Sequence, residues 1–340
     1  MYNIEITPYD TKIYNEYLFS FLPEFIIDTH IHIWKENFMK STEAKGCVTW
    51  PNRVASECTP ENLIYTYEKL FPGKTVKALL MGNPTASLNE SNAYALESGK
   101  KYGLPVMFCT SFNNTADEIY KALTLGGYAG IKPYLSNSPD YIPPNEIRIF
   151  DFLPHEHLKV VNELGKPVIL HISRPGRLKD SVNIAQLMEI DELYPNVKII
   201  AAHVGRAYTE EDIGEAFETL KKSKNLMFDF SANTLDKAIT MCIEAVGAKR
   251  IMFGSDMPIT KMRMYRISED GIYKNVVPRG LYGDVSDDKN MKETDEKDIT
   301  FFIYEELMAF RRAAEFLNLT KNEISDIMYG NASKLFDIKF

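Results

Sequence analysis

The stretch FIIDTHIHIW, residues 25–34, is an apolar run that ends in two histidines one residue apart. In an extended strand side chains alternate between faces, so His30 and His32 point the same way. Two imidazoles on one face can reach a common metal ion, or share a polar edge with nothing bound. The tripeptide alone decides neither. It does mark a buried strand whose polar groups gather at one end, and the rest of the chain repeats that pattern.

Working outward, seven more short apolar runs follow: TVKALLMGN, LPVMFCTSF, YAGIKPYLS, PVILHIS, VKIIAAHVG, LMFDFSAN and IMFGSDMP. Between them lie segments of helical period such as LNESNAYALESGKKYG, ADEIYKALTLGG and LDKAITMCIEAVGA, several ending in Gly or followed by Pro. Near-continuous apolar runs indicate strands buried on both faces, as in a parallel sheet covered by helices. Eight such units predict an α/β protein, a closed (β/α)8 TIM barrel forming one domain over residues 1–340. An open doubly wound sheet is the alternative, but no glycine fingerprint follows the first strand. Residues 1–24 read as an N-terminal extension. Residues 35–58 and 259–297 read as long loop insertions after the first and eighth strands, the second a charged lid. Two extra C-terminal helices follow, the second opened by the capping-box pattern T-K-N-E.

The 340 residues are 45% hydrophobic and 25% charged, with a net charge of −8, an ordinary globular composition without a nucleic-acid-binding surface. No apolar stretch is long enough to span a membrane, and the N-terminus lacks the basic and apolar regions of a signal peptide. The cysteines, Cys47, Cys58, Cys109 and Cys242, form no C-x-x-C pair, so reduced thiols and a cytoplasmic location are expected, with Cys47–Cys58 the one pairing to consider.

Polar residues recur where the apolar runs end. His30 and His32 close the first, Lys132 the fourth, His171 the fifth, His203 the sixth and Asp256 the eighth. Strand C-termini converge at one mouth of a barrel. Buried imidazoles and carboxylates are costly unless something binds them, so several meeting at one point suggest a Zn²⁺ site with an open position for water. Any one of them has a plainer reading: a hydrogen-bonded core histidine, a helix cap at Asp256, an ion-pair partner at Lys132. A second H-x-H, His155 and His157, follows Pro154 and opens a helical segment. There residues two apart lie about 200° around the axis and cannot chelate together. These two read as surface or loop residues.

Together IDTHIHIW, GIKPY, VILHISRP, IIAAHVGRA, FGSDMP and the closing IMYGNASKLF resemble the amidohydrolase superfamily, in its "amidohydrolase 2" branch of metal-dependent hydrolases, lactonases and non-oxidative decarboxylases. The resemblance runs from about residue 25 to the C-terminus. It implies a (β/α)8 barrel with the metal held by His30, His32, His171 and Asp256, and His203 near the substrate or the water. In binuclear relatives a lysine on the fourth strand is carbamylated and bridges two metals. In others a lysine in a GIK context is not a ligand, so Lys132 is expected either to bridge metals or to meet substrate.

The expected reaction is hydrolysis of an amide, lactone or ester by a metal-activated water, with one divalent ion per chain, Zn²⁺ first, or two. Asp256 would shuttle the proton and His203 would polarise the carbonyl or hold the developing oxyanion. The same ligands would serve a decarboxylase of an aromatic or unsaturated acid, and a barrel that only binds is the non-enzymatic alternative. Arg174 and Arg206 each follow a strand-end histidine by three residues, and Arg53, Arg177, Arg263 and Arg266 lie in loops on the same face. Guanidinium groups suit carboxylates, so a small anionic substrate is expected, contacted by Arg174, Arg206, Trp34 and Arg53. Nucleic acid and membrane are not expected partners; a homo-oligomer is compatible with the sequence.

Overall fold

The structure, a computed structural model, describes residues 4–38 and 50–340. All eight expected strands form: β1 (Phe25–Ile33), β2 (Thr75–Gly82), β3 (Met107–Thr110), β4 (Gly130–Pro133), β5 (Pro167–Leu170), β6 (Lys198–Ala201), β7 (Met227–Asp229) and β8 (Ile251–Met252). β3 to β8 pair in chain order in one parallel sheet, and β1 pairs with β2, also parallel. Parallel bridges link Leu80 to Val106 and Ile31 to Met257. At the second of these, Thr29 N donates to Phe253 O (3.1 Å), His32 N to Met257 O (2.8 Å) and Asp256 N to His30 O (2.6 Å). Gly254 permits this approach, since a Cβ there would lie 2.6 Å from the Cβ of His30.

Parallel neighbours require crossover connections, and helices supply them. Leu88–Tyr102 ends on the left-handed Gly103, Ala116–Thr124 opens with a Thr115–Glu118 capping box, and Asp180 caps Ser181–Leu193. The apolar residues sort into layers. Ile26, Ile31, Ala78, Leu80, Ile131, Val168 and Leu170 pack with the surrounding helices. Ile27, Leu79, Met81, Met107, Ile169, Ile200, Met227 and Met252 form a separate cluster with Ala332, Phe336 and Ile338. Since strand side chains alternate with period two, the inward position after Ile169 is His171 and the one after Met227 is Asp229. An apolar layer thus gives way to a polar one at the C-terminal strand ends.

Residues 259–297, expected as a charged loop, instead carry a three-stranded sheet: β10 (Ile272–Pro278) pairs antiparallel with β9 (Tyr265–Glu269) and parallel with β11 (Met291–Thr294). Its charged residues are exposed or half-buried, Arg266 being packed against aromatic rings. Val277, Met291 and Val285 pack with Trp50, Met262, Met264 and Phe302 in a small core of their own. The β9–β10 turn is Asp270–Gly271, both at positive φ (52° and 73°), the Asp-Gly signature of a two-residue hairpin. In the N-terminal extension, Asp10 accepts from Arg263 Nη2 (2.7 Å) and Thr300 Oγ1 (2.7 Å), tying residues 8–13 to the segment after β8.

The C-terminal helices appear as expected, Phe302–Phe316 and then Lys321–Ser325 with its Thr320–Glu323 capping box. Among the described residues no helix is long and apolar enough to cross a membrane. Cys58, Cys109 and Cys242 are free, buried thiols; Cys47 and part of the connection after β1 lie outside the described residues.

Candidate metal centre

β1 delivers His30 and His32 with a register shift between Asp28 and Ile31, and both imidazoles are buried. His32 Nδ1 lies 2.9 Å from Gly82 O. A carbonyl only accepts, so Nδ1 carries the proton and Nε2 keeps a lone pair. His30 Nδ1 lies 2.9 Å from Asp229 Oδ2, which selects the same tautomer. Both Nε2 atoms then stand 3.8 Å from Asp256 Oδ1. These three residues form one cluster with metal-ligand spacing.

His171 and His203 join from β5 and β6. Their rings lie 5.2 Å apart, and the His203 ring is 4.8 Å from that of His30. His203 Nδ1 is 2.9 Å from Ser231 O and therefore donates, again leaving Nε2 as a lone pair. This tautomer changes the expected role: neutral His203 can ligate or accept a proton at Nε2 but has no donor there for an oxyanion. His171 Nδ1 is buried without a hydrogen-bond partner.

Local backbone geometry aims these groups. His203, Val204, Gly205 and Arg206 all have φ between 51° and 62°, a left-handed turn that L-residues adopt at a cost of about 1–3 kcal/mol each outside glycine. Asp256 is also left-handed, at φ 60°. Two candidate ligands thus sit on strained backbone that the surrounding structure must hold.

Electrostatics favours uncharged donors. Burial pushes His30, His171 and His203 well below the usual imidazole range, and His32 down to about 3. Burial likewise holds Asp256 up to about 7, with the Lys132 ammonium opposing it. Lys132 is fully buried, its Nζ 3.3 Å from His30 Nε2, and burial brings it down to about 8 against the pull of Asp229 and Asp256. Four neutral imidazoles, one of them (His171) with an orphaned buried Nδ1, and a carboxylate with spare oxygens match the donor set of a divalent metal.

Asp229 was not singled out in the sequence. It accepts from His30 Nδ1, from His203 N (2.9 Å) and from Ser231 Oγ (2.5 Å), with Ser231 Oγ also 2.9 Å from His203 Nδ1. His30, His203 and Asp229 also meet metal-ligand spacing. Yet the oxygens of Asp229 are spent on orienting the two histidines, the usual outer partner of a metal-binding imidazole. The period-two signal that links Ile169 to His171 links Met227 to Asp229. Asp28, equally buried, accepts from Tyr67 OH (2.6 Å), Ser255 N (2.8 Å) and Ser255 Oγ (2.5 Å), joining β1 to the segment that carries Asp256.

The expected substrate contacts fare differently. Trp34 is buried in the main core and its indole N–H is used by Ser56 O (2.9 Å). Arg174 pairs with Asp180 (3.2 Å), and Arg53 is bound to Asp284 O (2.5 Å) and Asp287 (3.3 Å). Each therefore has a structural partner within the fold. Arg177 and Arg263 are likewise paired, with Asp212 and Asp10. Arg206 bonds the carbonyls of Ile172 and Ser173 (3.1 Å each), directly after His171, and has no carboxylate partner among the described residues. His155 and His157 prove to be helical, and His157 is buried rather than on the surface, because its Nε2 finds Asn114 O at 2.6 Å.

The parallel α/β fold thus gathers imidazoles and carboxylates at its strand ends with a spacing that could hold a metal ion. Residues 27–274 match the sequence profile described as amidohydrolase, and the chain belongs to that family of enzymes. Among solved structures it is similar to a probable 2-pyrone-4,6-dicarboxylic acid hydrolase from Acinetobacter baumannii with citric acid bound (17% identity, TM-score 0.57, covering 92% of this chain and 99% of that one). It is also similar to an amidohydrolase from Burkholderia multivorans with bound zinc (14%, 0.60, 93% and 100%). A third is 5-carboxyvanillate decarboxylase from Novosphingobium aromaticivorans complexed with manganese (14%, 0.55, 92% and 96%). At these identities the likeness is one of fold. No curated protein matches the chain.

Proposed function

We propose that the protein is a metal-dependent hydrolase of small carboxylate-bearing molecules, with zinc held by His30, His32, His171 and Asp256. The observation that carries this reading is the convergence of His30 and His32 Nε2 on Asp256, each with its Nδ1 proton already committed elsewhere. The orphaned Nδ1 of His171 adds a donor with no other use. The bridges Leu80–Val106 and Ile31–Met257, and one inward apolar cluster drawn from seven strands, support a closed barrel with this site at its mouth and the post-β8 sheet as its lid.

A divalent ion at such a site supplies Lewis acidity and lowers the pKa of water from about 15.7 toward 7. Asp256 takes the proton of the attacking water and returns it to the leaving group. His203, with its lone pair on Nε2, ligates or accepts a proton. Arg206, beside His171 and unpaired by any carboxylate, holds a carboxylate of the substrate. Lys132, as a buried ammonium beside His30, meets an anionic group of the substrate; as a carbamate it would bring a second metal.

Metal content, with a panel of small lactones, amides and acids assayed for both water addition and CO₂ release, tests the reading. Hydrolysis with one metal per chain supports it. CO₂ release without water addition would replace hydrolysis by decarboxylation on the same ligands. Lys132→Ala is expected to keep the metal count and raise KM for an anionic substrate; loss of a second metal, restored by short carboxylates, would identify a carbamate.

A further inference from the structure

Beside the metal centre lies a cavity of about 600 Å³ whose lining includes Tyr208, Thr209, Thr234, Leu235 and Arg266. The volume suits a small organic molecule. None of His30, His32, His171, His203 or Asp256 lines it. Tyr208 stands between the two, its ring 6.3 Å from that of His203.

Arg266 comes from β9, inside the sheet inserted after β8. Its guanidinium is packed among three rings, 4.7 Å from Tyr208, 4.6 Å from Tyr273 and 4.7 Å from Phe302. Nη1 donates to Ala232 O (2.9 Å) and Nε to Asn275 Oδ1 (3.0 Å). Among the described residues Nη2 has no hydrogen-bond partner and no carboxylate lies within ion-pair distance of the group, although the buried Glu306, which accepts from Ala232 N (2.7 Å), acts on it electrostatically. Arg177 stacks on the same two tyrosines but is neutralised by Asp212 at 2.6 Å. The Tyr208 hydroxyl also has no partner among the described residues. Stacking and neutral acceptors hold the half-buried guanidinium in place and leave Nη2 free to donate to an anionic group of a bound molecule.

We infer that Arg266 and the Tyr208 hydroxyl form a subsite for a second carboxylate, so that the substrate is a small dicarboxylate spanning this cavity and the metal centre. The inference rests on the carboxylate reading above and adds the group that selects for a second charge. Glu211 and Asp270 lie exposed in the lining, where water screens them, and Glu210 is paired with Lys237 (2.5 Å). Their sign disfavours long polyanions and leaves small dicarboxylates as the occupants.

The test is calorimetric titration of the zinc-loaded protein with succinate, and with succinamide as the uncharged control. Succinate should bind and succinamide should bind at least tenfold more weakly. Arg266→Gln should weaken succinate at least tenfold while leaving zinc affinity unchanged, Arg266→Lys should lose less, and Tyr208→Phe should lose about threefold with its ring stacking intact. No succinate binding up to about 10 mM, equal binding of the two probes, or unmoved affinity in Arg266→Gln would overturn the subsite. So would zinc affinity falling in step with succinate affinity, which would make Arg266 only a brace for the Ala232 loop. Because binding is read without turnover, the subsite and the hydrolytic reading fail by different results.

Discussion

The chain contains the same tripeptide pattern twice, with opposite outcomes. His30-Ile31-His32 lies on a strand, and its two Nε2 atoms reach the same carboxylate oxygen at 3.8 Å each. His155-Glu156-His157 opens a helix, where His155 Nδ1 meets Tyr194 OH at 2.8 Å and His157 Nε2 meets Asn114 O at 2.6 Å. A spacing of two means convergence only when the backbone period is two. In a helix the same spacing sends the rings to unrelated partners, and each becomes a local structural contact.

The largest effects belong to the strand pair and its companions. His30→Ala and His171→Ala should each lose bound metal and activity together, read by elemental analysis beside turnover. Full metal retention in both variants would break the comparison, because the strand histidines would then be no more ligands than the helical ones. Asp256→Asn should cost about 10²–10⁴ in kcat while keeping part of the metal, since an amide can coordinate weakly but cannot carry the proton. Near-normal kcat would remove Asp256 from the chemistry.

How far this difference could be read in advance depended on what each residue's neighbours announced. The eight strands and the order His30, His32, Lys132, His171, His203, Asp256 were legible because each polar residue ends an apolar run; the structure brings His30, His32 and Asp256 to metal-ligand spacing, sets Lys132 and the His203 ring beside His30, and sets the His171 ring beside His203. Asp229 sits at an equivalent position but passed as part of its strand: the period-two signal places it inward, yet nothing local announces its pairing with His30, 199 positions away in sequence. The fold partners of the loop arginines were hidden for a related reason. Counted along the chain the arginines make one basic face, yet long side chains find carboxylates that only the fold brings near, such as Asp10 for Arg263 and Asp212 for Arg177. In the segment after β8, high charge density outweighed a readable Asp-Gly hairpin and the alternation of buried Tyr273 and Asn275 with the less buried Ile272 and Lys274. The density described the outer face of a sheet.

A middle-sized effect sharpens the contrast. Asp229→Asn keeps the shape but removes the charge that holds the His30 Nδ1 proton and accepts from His203 N. Metal affinity should fall about 10–100-fold with the fold intact, as for other outer partners of metal-binding histidines. A competition titration with a zinc chelator measures it. Unchanged affinity would mean the tautomer of His30 needs no help from Asp229.

The smallest effect is expected from the helical pair, and it should be of a different kind. His157 is fully buried with its Nε2 on Asn114 O, so His157→Leu leaves that carbonyl unpaired and should cost about 1–3 kcal/mol of stability. Metal content and kcat should stay at the wild-type level. Burial also pushes the His157 pKa below the ordinary imidazole value of 6.5, against the milder upward pull of Asn114 O, Glu156 and Glu118. A depressed folded-state pKa means the unfolded chain binds the proton more readily, so this contribution is present above about pH 6.5 and is lost as pH falls through the folded value. The stability difference between wild type and His157→Leu should therefore shrink between about pH 7.5 and about pH 5.5, as measured by denaturant unfolding at both values. A difference that grows on acidification would mean His157 is charged in the fold. A loss of metal in this variant would erase the distinction between the two pairs altogether.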